Sequence, residues 1–275
     1  MTAELVGART DAPVTETTGP PLSRRNPTIK LALLFVVSLA LMFIFDPITP
    51  LVLYLLALGA VGATARIPFR LLVLTHIPFL AFAFGLLVVN ALSRPGEVLW
   101  QFGLLRVTEE GLTIGTALAL RTLVIGVLSI GFVLSTDSVA LMTSLHQHAR
   151  LGSRLTYAVL AGYRMLEDLP REWQTIRHAH AVRAPLGRGG KPPRGLRPYG
   201  RAAFALLVLS IRKGERMAQS LESRGLGLTP RTTWRRIPLT RADWVMAGAV
   251  LATVGSVIGL SAFLGYLHGF SALEN

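Results

Sequence analysis

A chain of 275 residues that is 51% hydrophobic, with a mean hydropathy of +0.51, is too apolar for an ordinary soluble domain and falls in the membrane class. It contains no cysteine, which excludes disulfides and cysteine-based metal or redox chemistry. The formal charge of +13 resides in one internal block, Asp137 to Arg241, where Lys and Arg outnumber Asp and Glu 19 to 6; elsewhere the two signs balance.

Residues 1–28 are rich in Thr, Pro, Ala and Gly, lack an apolar core, and are expected to form a disordered cytoplasmic tail. They show no signal-peptide pattern of charge, apolar run and small-residue cleavage site. Four apolar stretches follow. Ile29–Phe45 ends in the double-proline turn "DPITP". Leu51–Ala65 ends at Arg66. Ile67–Leu92 is nearly uncharged, with His76 and Pro78 near one end. Gly111–Ser135 holds a single charge, Arg121. A fifth stretch, Ala242–Leu267, lies beyond the basic block. A spanning helix needs about 20 apolar residues. The last three stretches meet that length, and the first two depend on their flanks.

The loop charges set an orientation. Arg24, Arg25 and Lys30 precede or open the first stretch, Arg66 and Arg70 lie between the second and third, and the large basic block follows the fourth. Positive loops stay cytoplasmic. The pattern predicts an N-terminus inside, five crossings and a C-terminus outside. The expected fold is an all-α integral membrane protein. Residues 29–135 carry transmembrane helices 1–4, residues 136–241 form a cytoplasmic region of long amphipathic helices, residues 242–268 form helix 5, and residues 269–275 are a short tail.

Within the basic block, Thr136-Asp137-Ser138 supplies a helix N-cap. Helical candidates are Asp137–His148, Leu155–Leu169, Arg171–Arg183 after Pro170, and Tyr199–Arg224 after the Gly/Pro-rich connector "PLGRGGKPPRGLRP". Tyr199–Arg224 has too short an apolar part, Ala202 to Ile211, to span a membrane. Leu207, Ile211, Gly214, Ala218, Leu221 and Gly225 recur at steps of four and three and share one stripe. Gly214 and Ala218 are small enough to let another helix cross closely. Upstream, Leu169, Trp173 and Ile176 fall on one face, and Arg183 ends the same row. Both long helices therefore finish on an arginine beside a small residue, Arg183-Ala184 and Arg224-Gly225. Such an arginine can simply complement the last carbonyls of its helix, or Gly can end the helix in the left-handed region. Two such tips in one block also suit bidentate pairing with carboxylates in a partner's groove.

Other signals are weaker. "GRGGK" lacks the spacing and the Ser or Thr of a phosphate loop, so no nucleotide cofactor is expected. His146 and His148, and His178 and His180, are two apart and point to different helix faces, so no metal site is expected. Arg121 at mid-span costs about 2.5–3.5 kcal/mol to insert and should face the bundle interior, meeting backbone carbonyls, Ser129, Ser135 or a membrane partner. Glu167, Asp168 and Glu172 are placed to pair with Arg164, Arg171 or Arg177 along their own helix. Trp234, Arg235, Arg236 and Arg241 read as anchors at anionic lipid.

The run from Thr136 to Gly225, with "AHAVRA" and "SLESRGL" ending its two long helices, resembles the transmembrane T component of energy-coupling factor (ECF) transporters, the EcfT/CbiQ family. "RRNP" and "LALRTL" are similar to that family too. The resemblance covers about residues 25–275. It implies a non-catalytic subunit of a bacterial plasma-membrane importer. In it, Arg183 and Arg224, with Ala181, Ala184, Ser223 and Gly225 around them, dock into two ABC ATPase subunits, a homo- or heterodimer. ATP-driven closure then shifts the helices and topples a substrate-binding S component, releasing a vitamin or a transition-metal ion inside. Ala184 stands where the family usually carries Gly, and Ser223 where it carries Ala. Two other classes compete: an integral membrane enzyme, for which the spans hold no catalytic constellation, and a basic membrane anchor for anionic lipid or nucleic acid. Sparse aromatics in the basic block argue against nucleic acid.

Overall fold

The computed structural model describes residues 20–65, 68–102, 105–183, 196–228 and 236–265. The chain divides into two compact units, one of Met1–Ser144 with Arg235–Asn275, the other of Leu145–Trp234. Eight helices and one short hairpin make up the described residues.

The first unit holds α1 (Pro27–Met42), α2 (Ile48–Ala65), α3 (Phe69–Ser93), the hairpin β1 (Val98–Phe102) and β2 (Leu105–Thr108), α4 (Glu109–Leu134), most of α5 (Ser138–His148), and α8 (Arg241–Phe263). Among the described residues, α2, α3, α4 and α8 are long and apolar enough to cross a membrane, and α1 is a shorter apolar helix of 16 residues. The protein is an all-α integral membrane protein. Polar caps set the helix starts. Asn26 accepts the Thr28 N–H at 2.9 Å, and Pro27 occupies a position whose N–H has no helical partner. Asp46 accepts the Thr49 N–H at 2.8 Å. The "DPITP" turn thus becomes the start of α2, three residues before the expected Leu51, and gives that helix its spanning length.

α4 is the centre of this unit and packs against α1, α2 and α3. Its small residues make the approach possible. A Cβ on Gly111 would stand 2.5 Å from the Asn90 carbonyl oxygen, and one on Gly115 would stand 3.0 Å from that of Leu87. Three apolar clusters line α4: Val37, Leu41, Ile44 and Leu53 around Val124; Val61 and Ala65 around Val127; and Ala83 beside Ala119 and Leu123. Phe35, Leu55, Leu74 and Phe84 are exposed on α1, α2 and α3, as expected where lipid tails replace water.

Three sequence expectations are revised. The tail expected over residues 1–28 ends sooner. α1 opens at Pro27, and Asn26 before it is buried with hydrogen-bond partners in α5 and α8. The loop expected over Ser93–Glu110 contains the antiparallel β1–β2 hairpin. Its ends are tied by the Thr108 hydroxyl, which donates to the Arg94 carbonyl at 3.1 Å, and by Glu110, which accepts the Glu97 N–H at 2.9 Å. Pro170 does not break the chain into two helices, because α6 (Ser153–Arg183) runs through it for 31 residues.

The second unit is the α6 helix and α7 (Leu196–Ser223). Its contacts run antiparallel: the start of α6 meets the end of α7, and the end of α6 meets the start of α7. At one end Arg154 packs on Gly227. In the middle Lys213 bonds Asp168 at 3.0 Å and Glu172 at 3.4 Å. At the other end the Trp173 and Tyr199 rings stack at 6.4 Å and the Arg177 guanidinium lies 5.2 Å from the Tyr199 centroid.

The α3–α4 contact gives a direct test. Gly111→Val should destabilise the purified protein by about 1–3 kcal/mol, because the new methyls meet backbone rather than a side chain that can move. Gly85→Ala, where nothing lies within 4 Å, should change stability by no more than about 0.5 kcal/mol. Thermal unfolding in detergent compares the two, and equal midpoints would contradict the close packing of α4.

Candidate functional site

The two arginine-tipped ends lie at opposite ends of the α6–α7 pair. Arg183 is the last residue of α6 and is exposed. Arg224 directly follows Ser223, the last residue of α7, and is also exposed. Because the helices are antiparallel and rise 1.5 Å per residue, the two tips are roughly 40 Å apart. Antiparallel rods are related by an approximate two-fold rotation, so each C-terminal arginine occupies the position the other takes after that rotation.

The Arg224 end is a complete glycine-terminated cap. The Leu226 N–H donates to the Leu221 carbonyl at 3.0 Å and the Gly225 N–H to the Glu222 carbonyl at 2.9 Å, with Gly225 at φ +79°. This is the paired bonding of a Schellman ending. Gly227 is also left-handed, at φ +96°, and Arg154 packs against it. The tip is therefore a fixed loop from which Arg224 projects, not a fraying end. At the other tip Ala181 is partly buried and Val182 is exposed, while Ala184 lies outside the described residues.

The stripe of Leu207, Ile211, Gly214, Ala218 and Leu221 does not make the contact with α6. Leu207 and Ile211 are 56% and 54% exposed, Ala218 is exposed, and a Cβ on Gly214 would meet nothing within 4 Å. The face turned to α6 carries Lys213 instead. Asp168 and Glu172 therefore pair across the two helices, not with Arg164, Arg171 or Arg177 along their own. The sequence reading missed this lysine because along α7 it looked like one more solvated charge. Asp168 and Glu172 stand two residues either side of Pro170, which has no N–H for the Leu166 carbonyl. Lys213 thus clamps the weakest turn of α6. The hydrogen bond to Asp168, with smaller help from Glu172, holds the Lys213 ammonium above its usual pKa. That contribution is present at neutral pH and is lost as pH rises through the raised value.

The two ends differ in charge. From Trp173 to Gly214 the sequence has no acidic residue, and His180, Arg197 and Arg201 line one open cavity beside Phe204. At the other end Glu215 and Glu222 share the final turns with Arg224.

Arg121 lies far from these tips in sequence and belongs to the other unit. Its Nη2 donates to the Ile44 carbonyl at 2.6 Å, and its guanidinium carbon lies 5.4 Å from the Phe45 ring centroid. It takes the backbone carbonyl just past the end of α1, one of the partners expected from sequence, and neither Ser129 nor Ser135. Ser135 is taken by Lys30. His146 Nδ1 donates to the Leu151 carbonyl at 2.6 Å. Among the described residues no three His, Asp or Glu side chains gather as metal ligands.

Residues 19–234 match the family model CbiQ, described as cobalt transport protein. The chain belongs to the CbiQ family. Relatives of this CbiQ-family chain include the energy-coupling factor transporter transmembrane protein EcfT of Thermanaerovibrio acidaminovorans, 23% identical over 89% of this chain and 94% of that one. The EcfT of Lacticaseibacillus paracasei is 28% identical over 62% of this chain and 67% of its own. A putative ABC transporter ATP-binding protein of Bifidobacterium longum, BL0043, is 25% identical over 93% of this chain, which spans only 34% of that relative's length. The chain is thus a membrane component of the energy-coupling factor class.

Two outcomes follow for the helical pair. Gly225→Val puts a β-branched residue at φ +79° with Leu228 Cδ1 only 3.0 Å from its Cβ. It should cost about 1–3 kcal/mol and unwind the last turn of α7, seen as faster amide exchange over residues 219–226. Lys213→Met should speed exchange over residues 166–172 of α6 while leaving the Arg224 cap unchanged. Equal protection in the mutant would remove the clamp.

Proposed function

We propose that this CbiQ-family protein is the coupling subunit of an ECF-type importer, joining two ABC ATPase subunits to a substrate-binding S component. One observation carries the reading: Arg183 and Arg224 project from opposite ends of an antiparallel pair. A dimeric ATPase offers two grooves related by a two-fold axis, and two tips related by an approximate two-fold are what such a dimer can engage at once. Arginine suits the contact because its planar fork pairs bidentately with a carboxylate and stays charged when desolvated. Ala181, Ala184, Ser223 and Gly225 are small and leave each guanidinium accessible.

In this reading residues 29–135 and 242–268 cross the plasma membrane in five passes. The N-terminus is cytoplasmic, and residues 136–241 face the ATPases. The protein itself has no catalytic role. ATP is bound and hydrolysed by the partners, and closure of their grooves moves the tips. The stripe of Leu207, Ile211, Gly214, Ala218 and Leu221, of which Leu207, Ile211 and Ala218 are exposed, is the surface left for the S component, with Gly214 and Ala218 admitting a close helix crossing. The cargo is a B-group vitamin, a related precursor or a transition-metal ion such as cobalt, chosen by the S component. The relative in Bifidobacterium longum supports an ATPase partner: a chain about three times as long bears an ATP-binding protein's name and matches this chain along 93% of its length. The acid-free end at Arg183 and the mixed end at Arg224 favour two seats of different acidity, and so a heterodimeric ATPase pair.

Charge reversal tests the docking. Arg183→Glu or Arg224→Glu should each remove about 2–5 kcal/mol of interface energy by leaving a partner carboxylate unpaired. The measurement is retention of the ATPase subunits on a tagged variant, with uptake assayed in the same cells. Both variants should still insert in the membrane. Full assembly and normal uptake in both would sink the docking role of the arginines.

A further inference from the structure

Two chain connections join the membrane unit to the α6–α7 pair. One is α5, which passes into the second unit after Ser144, and the other is the segment that returns at Arg235 and leads into α8. Both are held by one buried polar knot inside the membrane unit. At its centre is Asn26, 3% exposed. Asn26 Oδ1 accepts the Ser144 hydroxyl at 2.8 Å, which holds the outgoing connection. Since the Ser144 proton is spent there, Thr28 Oγ1 must donate to Ser144 Oγ across their 2.7 Å contact. The Asn26 backbone N–H donates to Asp243 Oδ1 at 3.1 Å and its Nδ2 to the Pro238 carbonyl at 3.5 Å, which holds the returning connection. Asp243, 1% exposed, also accepts the Thr240 N–H at 2.8 Å and the Thr240 hydroxyl at 2.7 Å. One turn further along α1, Lys30 donates to the Ser135 carbonyl at 2.9 Å and to its hydroxyl at 3.1 Å, pinning α1 to the end of α4.

We propose that this knot is the joint through which displacement of the α6–α7 pair is delivered to the spanning helices, with Asn26 and Ser144 as its positioning residues. The inference rests on the coupling role proposed above. Three features favour a transmission joint over an ordinary latch. Both covalent leads into the α6–α7 unit are bonded to the same residue, the outgoing one to the Asn26 side chain and the returning one to its backbone N–H and Nδ2, so neither can shift without pulling on Asn26. Asn26 is the cap of α1, and the rigid Pro27 follows it, so a pull on it turns the helix rather than unwinding a linker. Asn26, Ser144 and Asp243 are themselves buried, where releasing one leaves it unpaired and costly, so the cluster moves as a unit.

The test uses the complete complex with ATPases and S component in proteoliposomes, and reads substrate accumulated per ATP hydrolysed. Ser144→Ala deletes one hydroxyl, and Asn26→Ala removes the side-chain bonds to Ser144 and Pro238 while keeping the backbone bond to Asp243. Each should retain bound ATPases and hydrolysis while uptake per ATP falls about tenfold, the scale of one lost hydrogen bond. Ser144→Thr, which keeps the hydroxyl, should restore it. A further variant pairs Thr28→Cys with Ser144→Cys in a chain that has no other cysteine. The reduced variant lacks the Ser144 hydroxyl and should be impaired like Ser144→Ala; oxidation replaces the lost contact with a disulfide and should raise uptake per ATP relative to the reduced form. An unchanged ratio in the assembled alanine variants overturns the proposal. So does transport that stops on oxidation and returns with reductant, since the contact must then open in each cycle. Uptake and hydrolysis that fall together in proportion to lost thermal stability would reduce the knot to a structural latch and also overturn it. A wild-type chain that retains no ATPase would instead sink the coupling reading itself.

Discussion

A polar group inside an apolar bundle has no water to fall back on, so burying it without a partner in the chain is costly. That constraint organises the membrane unit. Most hydroxyls in its helices bond the carbonyl one turn back, as Ser38 does to Leu34 and Thr122 to Leu118. Several groups that are not satisfied locally become the ties between helices, while Asp46 Oδ1, His76 Nε2 and Arg121 Nε are buried without a hydrogen-bond partner. Arg121 takes the carbonyl that the end of α1 leaves open. The Thr49 hydroxyl meets that of Ser261, joining the start of α2 to the end of α8. Lys30 and Asn26 do the same at the opposite end of α1. Apolar packing around α4 cannot by itself choose between neighbouring registers, because lipid tails offer nearly the same contacts. The polar ties and the glycine faces of α4 can, since a slipped helix would strand a charge or drive a Cβ into backbone.

The α6–α7 pair answers to a different rule. It buries little, and Phe204, Leu207 and Ile211 remain exposed. A partly exposed lysine pair contributes little stability. What the Lys213 clamp supplies is straightness across Pro170, and what the Schellman ending supplies is a defined direction for Arg224. The pair is therefore better understood as a spacer of fixed length than as a domain with its own core.

Much of this was legible in the sequence and some was not. The apolar stretches gave the spanning helices because length and hydropathy are local properties. Asp137–His148 and Tyr199–Arg224 appear as α5 and α7 within a few residues, because caps and periodicity are local too. Gly225 was expected in the left-handed region and is found there. The hairpin at Val98–Thr108 was missed because its alternation is irregular and interrupted by a bulge. Pro170 was weighted as a break, although a neighbouring helix can hold a proline turn together. The stripe on α7 was sound as periodicity, but periodicity does not say which face meets α6. The knot was out of reach, since Asn26 and Asp243 are separated by 217 residues. Only its local halves, Asn-Pro before α1 and Thr-x-x-Asp before α8, could be read as helix starts.

The geometry of the two tips follows from residue count more than from residue identity. On a helix each residue adds about 1.5 Å of length and about 100° of rotation. Inserting or deleting one residue in α6 would move Arg183 only slightly but swing it to another side of the rod. A change of seven residues would restore its direction and alter the spacing of the tips by about 10 Å. If the spacing has to match two grooves of a partner dimer, neither change is tolerated, whereas most exposed substitutions on the same helices are. The demand on this region is thus for register. The residues that fix register sit where the two rods touch: Lys213 against Asp168 and Glu172 and Tyr199 between Trp173 and Arg177 lie away from the tips, while Arg154 against Gly227 holds the base of the Arg224 tip itself.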